Sequence, residues 1–138
     1  MALRRRRPGL VYPVNEDWHY VGATDEPAFN STWANVSGLP KLAFRLRETG
    51  VVDIQGGVSG GTSITVFTLP VGYRPSATAG GNASGYMTGF GRVPVLVAVT
   101  TAGVVAVSAN PDDTSDTYPT RVHFGALQVF LTPPAVAP

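Results

Sequence analysis

His19 and His123 are the only imidazoles in the 138-residue chain, and neither stands at a spacing that zinc ligation or a nucleophile relay uses. Each is therefore expected at the surface or in an ordinary hydrogen bond. The chain has no cysteine, which removes a thiolate zinc site, a disulfide framework and a cysteine nucleophile together. The string Gly56-Gly57-Val58-Ser59-Gly60-Gly61 has the outline of a phosphate-cradling loop. No lysine and no following helix complete one, so a flexible turn is expected. In Asn110 to Asp116 the carboxylates Asp112, Asp113 and Asp116 are calcium candidates, but the loop glycine and closing glutamate of a helix-loop-helix site are missing and a solvated loop is expected. No pair of carboxylates stands out as acid and base. The chemistry points away from an enzyme, with no cofactor and no metal expected.

The strongest charge feature is the run Arg4, Arg5, Arg6 and Arg7, which holds four of the ten basic residues. The remainder carries six basic against nine acidic residues, a balance of −3. Such a body does not offer the spread of Lys and Arg that a nucleic-acid-binding face needs, and no specific nucleic acid is expected. The arginines suit phosphate groups or the carboxylates of a neighbouring subunit. Leu10, Val11 and Tyr12, bracketed by Pro8 and Pro13, suit addition to the edge of a partner's sheet. Residues 1–14 are thus expected to form an extended basic docking arm, and 15–138 one domain.

Length and composition agree with one core. The apolar fraction is 43% and the charged fraction only 14%, so much of the polar surface is carried by Thr, Ser, Asn and Gly. The 16 glycines and 12 prolines punctuate the chain too often for long helices. No apolar run approaches the roughly 20 residues that span a bilayer, and the basic run is followed by Pro8 and Gly9 rather than by a signal peptide's apolar core. A soluble, unprocessed chain with no membrane span is expected. The Asn-x-Ser/Thr matches at Asn30, Asn35 and Asn82 matter only in a secreted eukaryotic chain.

The elements that must position these residues read as strands. Leu42, Phe44 and Leu46 alternate with Ala43, Arg45 and Arg47, the period of a half-buried strand, and Thr49-Gly50 turns this run into Val51 to Val58. Ile64 to Leu69 carries apolar residues on both faces, which places it between two layers or at a subunit contact. Ser76 to Ser84 shows no period and reads as a loop. Pro94 to Thr100 and Val104 to Ser108 flank Thr101-Ala102-Gly103 as a second hairpin. Thr120 to Leu131 supplies one more long or broken strand. About eight short strands separated by turns predict an all-β antiparallel β-sandwich, jelly-roll-like.

The segment from Trp33 to Pro75 resembles the C-terminal domain of bacteriophage tail fibres and minor tail proteins. The resemblance runs through the tryptophan strand at Trp33, the apolar-basic strand around Phe44, the turn at Gly50, the pair Gly60-Gly61, and Val66-Phe67-Thr68-Leu69-Pro70-Val71-Gly72-Tyr73-Arg74-Pro75. It covers about a third of the chain, and the last ten residues carry most of its specificity. Beyond Pro75 it continues loosely through Gly103-Val104-Val105 and Phe124 to Leu127. It implies a β-sandwich, commonly trimeric, on the virion surface, with host glycans or proteins as partners. Only an arm precedes the domain here, so direct attachment to another particle component is expected rather than a stalk.

The expected function is that of a bacteriophage virion structural protein, a minor tail or tail-tip component located on the particle. Its partners would be other virion proteins and two further copies of itself. A capsid decoration protein at a capsomer three-fold position and a glycan-binding adhesin domain are the alternatives. Tyr73 is expected to pack its ring and to bond its hydroxyl to backbone.

Overall fold

Valine recurs at every second position from Val93 to Val99, and the backbone there is an extended strand. The computed structural model describes residues 16–87, 91–109, 119–125 and 127–131. Among them are eleven strands and no helix: β1 (His19–Tyr20), β2 (Ala34–Asn35), β3 (Ala43–Leu46), β4 (Val51–Gln55), β5 (Gly57–Ser59), β6 (Thr65–Thr68), β7 (Ala79–Met87), β8 (Gly91–Val99), β9 (Val104–Ser108), β10 (Arg121–His123) and β11 (Leu127–Phe130). They form a four-stranded sheet in the order β1-β3-β4-β11 and a seven-stranded sheet in the order β2-β5-β10-β7-β8-β9-β6. Every pairing among them is antiparallel.

Both sheets feed one core. Phe44, Val52, Ile54, Leu127 and Val129 come from the smaller sheet, and Val58, Val66, Phe67, Val95, Val97, Val99, Val105, Val107 and Val122 from the larger. Along β8 the valines at 95, 97 and 99 point inward while Arg92, Pro94, Leu96 and Ala98 are exposed. Each buried valine contributes roughly 1.5 kcal/mol, the low end of the range for burying a large apolar side chain. The predicted hairpins are present as β3–β4 and β8–β9, closed by Gly50 N–H to Arg47 O (2.9 Å) and by Gly103 N–H to Thr100 O (2.9 Å).

The sheets are tied together because two strands pass from one to the other side by side. At Gly56 the chain leaves β4 in the smaller sheet and enters β5 in the larger, and between β10 and β11 it returns. Phe124 N–H donates to Gly56 O at 2.8 Å where the two bends meet. Gly56 has a φ of +119°, and a Cβ there would lie 2.5 Å from Leu42 Cα, so only glycine fits this bend.

Three expectations are corrected. The loop at Ser76 to Ser84 is mostly β7, a nine-residue strand paired with β8 along its whole length. Its small residues hide a period that packing demands: a Cβ on Gly81 would stand 2.4 Å from Leu127 Cδ1, and one on Gly85 2.5 Å from Arg121 O. The glycine string at 56–61 is not a flexible turn, since Gly57–Ser59 is strand β5 and Gly56 and Gly57 are buried. Finally, Ile64 to Leu69 is not a two-sided strand. A register shift between Thr65 and Phe67 lets the consecutive residues Val66 and Phe67 both enter the core, at 0% and 1% exposure. With this extra strand, the two-residue strands and the breaks at sheet crossings, the count rises from about eight to eleven.

Candidate functional site

The residues that carry the resemblance are brought together as framework. Gly61 lies against the buried Trp33 ring, where a Cβ would meet Cε2 at 1.9 Å, and the indole N–H donates to Ser63 O at 2.9 Å. Gly60 bends the chain between β5 and that contact with a φ of +82°. Phe44 and Phe67 stack with centroids 5.9 Å apart. Leu69 is fully buried, and its carbonyl accepts from Arg74 Nε at 2.8 Å. Between them Pro70 O accepts from Tyr73 N–H in a turn that places Gly72 at a φ of +100°. Pro75 is buried after it. Gly103, in the β8–β9 turn, completes the corner, because Leu69 N–H donates to its carbonyl at 2.8 Å and the Arg74 side chain lies over it.

Tyr73 places its ring edge-on against Phe44, with centroids 5.2 Å apart. Its hydroxyl does not bond to backbone as expected. It donates to Glu16 Oε1 at 2.9 Å and lies 3.0 Å from His19 Nε2, because β1 pairs with β3 and brings His19 to the corner, while the Leu46 N–H of β3 holds Glu16 beside it.

His19 is the centre of this polar cluster. Its ring stacks on Phe44 at 5.2 Å, its Nδ1 faces Glu26 Oε2 at 2.8 Å and its Nε2 faces Glu16 Oε2 at 3.2 Å. Burial opposes charging the imidazole, but the hydrogen bonds and charges of Glu26 and Glu16 outweigh it, and its pKa lies above the ordinary histidine value. Burial likewise opposes ionising Glu16, yet the Leu46 N–H, the Tyr73 hydroxyl and His19 hold its carboxyl below the ordinary value. Desolvation, aided by the hydrogen bond and charge of Glu16, pushes the Tyr73 hydroxyl up to about 12. Both imidazole nitrogens are engaged within the protein, so this arrangement clips residues 16–26 to β3 and the corner and offers no nitrogen to a substrate. Among the described residues no group of three or more His, Cys, Asp and Glu is arranged to hold a metal ion. No helix among them is long and apolar enough to cross a membrane.

A second constellation lies on the outer face of the seven-stranded sheet, and sequence reasoning missed it. Tyr86 on β7 stands opposite Arg92 on β8 and Arg121 on β10, and all three side chains are exposed. In the next row Ser84 stands between Pro94 and His123. The alternation of β8 displays Arg92 outward, but with β7 read as a loop nothing placed Tyr86 beside it. On the smaller sheet's outer face, Arg45 lies 4.4 Å over the Trp18 ring, and Arg45 and Arg47 approach Asp53 at 3.5 and 3.6 Å.

The docking candidates Arg4, Arg5, Arg6, Arg7, Leu10, Val11 and Tyr12, and the calcium candidates Asp112, Asp113 and Asp116, lie outside the described residues. No protein-family model, curated protein or solved structure matches the chain.

Proposed function

We propose that this chain is a structural domain of a bacteriophage virion, a minor tail or tail-tip component that docks through its N-terminal arm. The observation that carries the reading is the Leu69–Pro75 corner. Leu69, Tyr73 and Arg74 direct their side chains into the fold rather than toward a substrate, which is what residues shared across a family of structural domains should do. In this reading the two sheets are the layers of a jelly-roll-like sandwich, and three copies assemble on the particle. The apolar pair Val66 and Phe67 is already covered within one chain, so the trimer contact belongs to an outer face.

Immunogold electron microscopy of intact particles, with antibody raised against the purified chain, tests the reading. Label at the tail tip supports it, and label over the head moves the chain to a capsid decoration role. Unlabelled particles in a preparation whose lysate contains the chain overturn it.

A further inference from the structure

We propose that the row Arg92–Tyr86–Arg121 is a binding site for an acidic saccharide chain, with sugar rings laid along the outer face of β7 and sugar carboxylates held by the two guanidinium groups. The inference stands on the row itself and holds whether or not the chain is a particle component.

The register fixes the arrangement. Arg92 and Arg121 are the direct cross-strand partners of Tyr86 on its two sides, so the phenol ring, 48% exposed, stands between two planar cations on one face. Strand spacing puts the two arginine Cα atoms about 9.5 Å apart, within reach of consecutive acidic groups on one oligosaccharide. The guanidinium fork matches a carboxylate in bidentate fashion, and an exposed aromatic face suits the apolar face of a sugar ring.

The charge accounting supports an external anion. Arg45 and Arg47 face Asp53, Arg74 is committed to Leu69 O, and Glu16 and Glu26 are committed to His19. Among the described residues Arg92 and Arg121 make no ion pair, and both stand exposed beside one tyrosine.

The surroundings favour a saccharide over other anions. A depression of about 350 Å³ is lined by Leu39, Ser84, Tyr86, Arg92, Arg121 and His123. A second, of about 490 Å³, follows along the same strands at Gly80, Asn82, Leu96 and Ala98. The outward positions of β7 run Tyr86, Ser84, Asn82, Gly80, spaced about 6.8 Å apart by strand geometry. Hydroxyl and amide groups there suit sugar hydroxyls, and the missing side chain of Gly80 leaves the trough open. A nucleic acid would need more phosphate contacts than two arginines supply.

The test is calorimetric titration of the full chain with octagalacturonate, with uncharged maltooctaose and with a short oligo(dT). Octagalacturonate is expected to bind, and maltooctaose at least about tenfold more weakly, since the charge-assisted bonds are lost. Arg92→Gln and Arg121→Gln should each weaken octagalacturonate about tenfold by the same reasoning. Tyr86→Ala should weaken it as well, while Tyr86→Phe keeps the ring and the affinity. Arg47→Gln, on the other sheet, and glutamine at all four of Arg4, Arg5, Arg6 and Arg7 should leave it unchanged. All of these positions on the sheets are exposed or half-exposed, and unchanged melting temperatures confirm folding. Absence of octagalacturonate binding at millimolar concentration overturns the proposal. So does wild-type affinity in the Arg92→Gln/Arg121→Gln double variant, or oligo(dT) binding as tightly through the same residues.

Discussion

Tyr73 and Glu16, 57 positions apart in the chain, meet through a 2.9 Å hydrogen bond from the phenol to Oε1. The other carboxylate oxygen accepts from the Leu46 N–H at 2.8 Å, so a single side chain joins residues 16–26, strand β3 of the smaller sheet and the Leu69–Pro75 corner. Tyr73→Phe keeps the ring on Phe44 and removes this bond, at an expected cost of about 1.5 kcal/mol, typical of a hydrogen bond to a charged group. Tyr73→Ala also removes the ring and should cost about 3 kcal/mol, the low end for aromatic truncation because the ring is only half-buried. Urea denaturation of both variants checks the order and the sizes.

The same cluster sets a pH window. The lowered carboxyl pKa of Glu16 stabilises the fold above its ordinary 4.5, and that contribution is lost as pH falls through the folded value. The raised pKa of His19 stabilises the fold below its ordinary 6.5, and that contribution is lost as pH rises through the folded value. Both are present together between 4.5 and 6.5, so the melting temperature should peak in that weakly acidic range. His19→Gln should flatten the alkaline side of the profile, and Glu16→Gln the acid side. A monotonic profile that neither variant alters would contradict the geometry.

Gly61 and Gly72 separate two reasons for glycine within the resemblance motif. A Cβ on Gly61 would overlap the Trp33 ring at 1.9 Å, whereas at Gly72 nothing lies within 4 Å and only the φ of +100° is unfavourable. Gly61→Ala should therefore cost about 3 kcal/mol or more through overpacking, and Gly72→Ala about 1–2 kcal/mol through its left-handed backbone. Thermal unfolding of the pair distinguishes them, and equal losses would show that Trp33 moves aside freely.

The hairpins β3–β4 and β8–β9 were legible because large apolar residues alternate with polar or small ones on both sides of a Gly-bearing turn. β7 was not, although its burial alternates as regularly. Its inward positions Gly81 and Gly85 must be small because Leu127 and Val95 press on them, and that removes the contrast that periodicity depends on. The Val66–Phe67 bulge escaped for a related reason, since strict alternation cannot express two neighbours facing one core. Of the candidate sites, the corner motif was readable as a local string, whereas the His19 cluster and the Arg92–Tyr86–Arg121 row are assembled by pairing between distant strands. No spacing in the sequence links Arg121 to Tyr86.

The docking role assigned to the arm predicts a separation of folding from assembly. Removing Met1 to Gly9 should leave the melting temperature unchanged, because the strands and core of the described residues lie outside that segment, and should abolish incorporation into particles. Incorporation of the shortened chain at full copy number would place the docking surface on the sheets.

Membership of the particle is decided by quantitative mass spectrometry of gradient-purified virions from the genome that encodes this chain. In the proposed role the chain appears in fixed proportion to the tail proteins across the particle peak and is retained after a salt wash that strips adsorbed protein. Its absence from that peak, with the chain abundant in the lysate, would rule out the proposed role.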